Sequence, residues 1–139
     1  MRIVLDTNAV VSALLWGGTP YRLIQAAVDG TLTLCTSPEL MAELRDVLTR
    51  EHLAARLERQ SASIEETMSL YGALAVSVAP ESVPRVVPAD PHDDHVIAAA
   101  IAAKAKLIVS GDRHLLTLGT HESIRIVTPA EAARLITAH

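Results

Sequence analysis

Aromatic residues are nearly absent from this chain, which has no phenylalanine, one tryptophan and two tyrosines. Single-strand-binding proteins tile several rings along a groove, and Trp16, Tyr21 and Tyr71 are too few for such a platform. Positive charge is also scarce. With 12 basic against 16 acidic residues and a formal net charge of −4, the chain lacks the clustered Lys and Arg that hold nucleic acid by neutralising phosphates. If the protein handles a polyanion, something other than summed side-chain charge must attract it. The single cysteine, Cys35, has no partner for a disulfide and lies in the apolar TLTLCTS, a setting for a small buried residue and not a nucleophile. No apolar run approaches the ~18 residues of a membrane span. The N-terminal residues also lack the basic region, apolar core and cleavage site of a signal peptide, so a cytoplasmic location with no membrane partner is expected.

Hydrophobic residues, in contrast, make up 50% of the 139 positions, enough for one domain over residues 1–139 to bury a core without disulfides. Short β-rich runs (RIVL, TLTLCT, VSV, KLIV, IRIV) alternate with longer stretches of helical period, which predicts an α/β fold. The strand runs are almost continuously apolar, as parallel strands are when helices cover both faces. Helix starts are marked by Thr19-Pro20, Ser37-Pro38, a Ser63/Glu66 capping box and Thr128-Pro129 with Glu131. The segment from Ala79 to Ala89, with Pro80, Pro84 and Pro88, reads as an irregular loop.

In an open parallel sheet, ligands bind beyond the carboxyl ends of the strands, so acidic residues just after strands invite a functional reading. Asp6 closes the first strand, in RIVLDTN. Helix capping by Asp6, Thr7 or Asn8 accounts for it equally well. Glu43 lies on the helix after the second strand, at the edge of the Leu40, Leu44, Val47, Leu48 face. Asp46 on the same helix has Arg50 as an i,i+4 partner, and Glu43 has none. Asp112 follows the fourth strand in LIVSGDRHLL, where capping is again an adequate account. In ADPHDDHVIAAAIAAKAK, Asp90 before Pro91 is a natural N-cap and Asp93 complements the helix dipole. Asp94 shares a face with Ile97, Ala98 and Ile101, which predicts a carboxylate turned toward the sheet and in need of a partner. Capping alone does not predict that Asp6, Glu43, Asp94 and Asp112 gather at one edge of one sheet. Oxygen donors without cysteine or a histidine pair at ligand spacing favour Mg²⁺ or Mn²⁺ over zinc. His92, His95 and His114 are expected to face solvent.

These residues resemble a known family. LDTNAVVSALL, SPELMAEL, DPHDDHVIAAA, VSGDRHLL and IRIVTPAE together are similar to the PIN-domain ribonucleases, in particular the bacterial PIN toxins of toxin–antitoxin pairs. The resemblance implies a three-layer sandwich around a central five-stranded parallel sheet, one or two Mg²⁺ or Mn²⁺ ions, and hydrolysis of RNA phosphodiester bonds. It gives Asp6, Glu43, Asp94 and Asp112 the catalytic, metal-binding roles and Asn8 and Ser110 supporting ones. Asp90 and Asp93 are extra acids, with Asp94 preferred on helix phase. It further implies an RNA substrate, a small antitoxin that blocks the acidic cleft, and a homodimer. Two other classes compete. One is an α/β phosphohydrolase using Asp6 as covalent nucleophile, although Asn8 stands where that class carries a second aspartate. The other is a catalytically inactive PIN-like module that only binds RNA or protein.

Overall fold

The computed structural model describes residues 1–87 and 90–137, so Pro88 and Ala89 of the expected proline-rich loop lie outside the described residues. The apolar RIVL run forms β1 (Arg2–Leu5), which is flanked by β2 (Thr33–Thr36) and β4 (Leu107–Val109), both parallel to it. β3 (Val76–Ser77) joins β2, and β6 (Ile124–Val127) joins β4, again in parallel. The sheet order is β3-β2-β1-β4-β6-β5, in which the sixth strand, β5 (Thr120–His121), runs antiparallel to β6. Five of the strands are the runs read from the sequence. β5 was not, because it is two residues long and its hairpin turns through Glu122 and Ser123 at positive φ (46° and 72°) without the Asn-Gly or Asp-Gly signal of such turns.

Both sheet faces are covered, in three layers. Ile3, Leu5, Leu34, Leu107 and Val109 point into one core, with α1 (Thr7–Leu15), α2 (Gly18–Val28), α3 (Pro38–Leu48), α4 (Glu51–Arg59), α5 (Ile64–Leu74) and α8 (Pro129–Thr137). Val4, Cys35, Ile108 and Ile126 alternate to the other face, under α6 (Pro91–Ala103) and α7 (Arg113–Leu118). This two-sided burial explains the absence of polar alternation in the strands. Cys35 is fully buried, as expected.

Local chemistry fixes most helix ends where the sequence marked them. Ser37 Oγ accepts from Leu40 N, Ser63 Oγ from Glu66 N at 3.0 Å, and Thr128 Oγ1 from Glu131 N at 3.2 Å. α2 starts earlier than Thr19-Pro20 implied. Gly17 and Gly18 take left-handed φ (73° and 68°) at the junction, and Pro20 falls within the first turn, where a missing N–H is harmless. α3 ends at Leu48, so Arg50 lies off that helix, and no Asp46–Arg50 ion pair occurs among the described residues. Among the described residues no helix is long and apolar enough to cross a membrane.

Candidate active site

From β1 the chain moves outward through β2 and β3, then returns to add β4 and β6 on the opposite side. The crevice beyond the carboxyl ends of β1 and β4 is therefore the switch point at which open α/β sheets bind ligands. Asp6 leaves β1 there, its backbone N–H donating to the Val109 carbonyl at 3.0 Å. Its Oδ1 accepts from Ala9 N at 2.8 Å and caps α1. Its Oδ2 accepts from the hydroxyl of Ser110, a fully buried side chain whose Oγ in turn accepts from Asp112 N at 2.8 Å. Ser110 thus ties the ends of β1 and β4 together and links the Asp6 carboxylate to the backbone of Asp112. Burial pushes the Asp6 carboxyl up, the hydrogen bonds from Ser110 and Ala9 oppose that shift, and Asp112 and Glu43 reinforce it.

Asp112 and Asp90 repeat the pattern. Asp112 Oδ1 accepts from His114 N at 2.7 Å and caps α7, and Asp90 Oδ1 accepts from His92 N at 3.0 Å and caps α6. Capping and site membership are therefore not rival explanations for these residues, because one carboxylate oxygen performs each cap.

Asp93 lies in the first turn of α6, only 5% exposed, and its Oδ2 is buried with no hydrogen-bond partner. Carboxylate oxygens of Asp90, Asp93 and Asp112 lie within 4.8 Å of one another. The Asp93 carboxyl is pushed up to about 7, first by burial and then by the charges of Asp112, Asp90, Asp6 and Glu43. Five acids thus share one field. Among the described residues, none of them meets a Lys or Arg within ion-pair distance, and the one basic side chain that does come so close is His92, whose Nδ1 is 3.5 Å from Glu43 Oε2.

Asp94, preferred on helix phase, is placed elsewhere. It is buried, but its Oδ1 accepts from the backbone N–H groups of Val86 and Val87 at 2.9 and 2.7 Å, anchoring the preceding loop to α6. The face turned to the sheet runs through Asp93, Val96, Ile97, Ala100 and Ala103, all buried, whereas Ile101 on the Asp94 side is exposed. The helix is apolar almost all round, so its phase was ambiguous by one residue. Asn8 is exposed in the first turn of α1. His92 was expected only to face solvent. It is exposed, but it also contacts Glu43, and nothing in the sequence spacing pairs a residue of α6 with one of α3.

A family model described as the PIN domain matches residues 2–114, a span containing all of these acids. The chain belongs to the PIN-domain family. No curated protein sequence matches it. In this PIN domain Ser110 holds both the Asp6 carboxylate and the backbone N–H of Asp112, so its removal has a defined effect. Ser110→Ala leaves Asp6 Oδ2 buried without its donor and is expected to cost ~1–3 kcal/mol of stability, measured by urea unfolding. An unchanged unfolding midpoint would show that Ser110 does not hold Asp6.

Proposed function

We propose that this PIN domain is a metal-dependent endoribonuclease that hydrolyses RNA phosphodiester bonds, and the toxin of a toxin–antitoxin pair. PIN domains are generally nucleases. The observation that carries the reading is the partnerless, buried Oδ2 of Asp93 beside Asp90 and Asp112. A buried carboxylate without a donor is costly, and a cluster of them is retained where a cation compensates. The donors are all oxygen, which suits Mg²⁺ or Mn²⁺.

Asp90, Asp93 and Asp112 would hold the ion, with Asp6 and Glu43 adding charge from the rim. When bound, the divalent cation supplies an activated water and offsets charge on the phosphate oxygens. The chain's own part is positional. Ser110 and the α1 N-terminus fix Asp6, the α7 cap fixes Asp112, and His92 steadies Glu43. The cation also resolves the charge objection, since it converts an acidic crevice into a phosphate site. A covalent role for Asp6 is disfavoured because both of its carboxylate oxygens already accept hydrogen bonds inside the protein. The inactive-module reading is disfavoured by the presence of all the acids.

The toxin role, an RNA substrate, a small antitoxin over the acidic cleft and a homodimer rest on the motif resemblance. Incubating the purified protein with total RNA and Mn²⁺ is expected to give discrete cuts, to stop in EDTA, and to resume when Mn²⁺ is restored in excess. Cleavage that survives both EDTA and Asp112→Asn would refute the assignment and point to a contaminant.

A further inference from the structure

Two of the three aromatic residues, Trp16 and Tyr21, are exposed, and they flank the Gly17-Gly18 junction where α1 meets α2. Trp16 is 53% exposed, a large apolar area to leave in water on a chain with so few rings. Its setting is fixed. The Arg56 guanidinium lies over the indole, 4.5 Å from the ring centroid. Arg56 Nε donates to the Leu15 carbonyl at 3.0 Å and Gln60 Nε2 donates to the same oxygen at 2.9 Å, so α4 clamps the carboxyl end of α1. One ring face is covered by a cation, and about half of the residue's surface is open to solvent.

The geometry points to Trp16 as a stacking contact for one unpaired base of the RNA strand, with Arg56 beside it drawing the polyanion. This inference rests on the nuclease reading above and deepens it by naming a residue that positions the RNA strand. It is not the tiled platform excluded by the composition. One ring serves one base, and sequence-tolerant stacking of this kind needs only a π face. Three observations favour RNA over a protein partner. The first is position: α1 begins at Asp6 and ends beside Trp16, about 15 Å along one rigid helix, a distance that four to five stacked nucleotides span at roughly 3.4 Å each. The second is charge. Arg56 has no carboxylate within ion-pair distance among the described residues, so it offers a cation to phosphates in an otherwise acidic protein. The third is the adjoining sequence: Gly17, Gly18 and Thr19, which follow Trp16 directly, carry no apolar side chain to build the pocket wall of a protein hot spot.

Trp16 is the sole tryptophan, so indole fluorescence reports this position alone. A single-stranded RNA decamer titrated into the uncleaving Asp93→Asn protein is expected to quench that fluorescence. In the same background Trp16→Ala is expected to weaken decamer binding, read by anisotropy of labelled RNA, about tenfold. Trp16→Tyr recovers most of the loss, whereas Leu70→Ala, which removes an even more exposed apolar side chain on α5, changes nothing. With native acids, the ratio of kcat/KM for the decamer to that for a dinucleotide falls by the same factor, carried by KM. Decamer binding without an indole response, or with equal affinity in Trp16→Ala, overturns the stacking contact even if total RNA is cut. Absence of both cleavage and binding overturns the nuclease reading first, and the contact with it.

Discussion

Asp93→Asn is expected to raise the melting temperature of the protein in EDTA at pH 8 by roughly 5 °C while lowering RNA cleavage at least ~100-fold. The gain follows from the cost of ionising Asp93. Its carboxyl is pushed from an ordinary 3.8 up to about 7. A shift of that size has an upper bound of about 4 kcal/mol, which relaxation and water reduce to ~1–2 kcal/mol. Asparagine keeps the shape, carries no charge, and offers an amide N–H to Asp90 or Asp112. A carboxyl whose folded value exceeds its unfolded one imposes no penalty below about pH 4, where both states are protonated. As pH rises from about 4 to about 7 the unfolded chain ionises and the folded one resists, so stability falls, and above about 7 the full penalty applies. The advantage of Asp93→Asn is therefore largest at pH 8 and vanishes near pH 4, as thermal melts across that range will test. Equal melting of the two proteins at pH 8 would remove the case for a buried, uncompensated charge.

A divalent ion should reverse the ranking. Binding to the folded state alone contributes ~2.7 kcal/mol when free metal is a hundred times its dissociation constant. Wild type is expected to gain that stability in Mn²⁺ and Asp93→Asn to gain little, so one residue trades metal-free stability for function.

The sheet and most helix starts were legible because each had a local cause. Continuous apolar runs announced buried parallel strands, and Ser37, Ser63 and Asp90 announced caps whose side-chain oxygens accept from backbone N–H groups. The region of the site was legible for a different reason, that acids recur after strands and a parallel sheet carries them to one edge. Asp6 and Asp112 are joined there through Ser110. What the sequence left open was helix phase. In DPHDDHVIAAAIAA both Asp93 and Asp94 head apolar series at i+3, i+4 and i+7, so periodicity distinguishes them poorly. Loop contacts decide between them, and those depend on tertiary structure. The same holds for His92 beside Glu43, which belong to helices brought together only by the fold.

The neighbouring acid should behave in the opposite way. Asp94→Ala is expected to destabilise the protein by ~2–4 kcal/mol while the surviving folded protein still responds to Mn²⁺. Asp94 Oδ1 accepts two backbone donors, Val86 N and Val87 N, and its removal leaves both without their partner beside a buried valine. Each such group costs ~1–3 kcal/mol when left unsatisfied. Asp94→Asn retains an acceptor oxygen and is expected to recover most of the loss, whereas at Asp93 the same exchange removes function and adds stability. Chemical denaturation with and without Mn²⁺ separates the two roles. If Asp94→Ala kept its stability and lost its metal response, Asp94 would be the ligand and the loop contact incidental. The loop anchored by Asp94 leads toward Asp90, so slackening it disturbs the acid cluster indirectly. Activity of Asp94→Ala should therefore fall with the folded fraction and return when an added osmolyte restores folding, a recovery that Asp93→Asn cannot make.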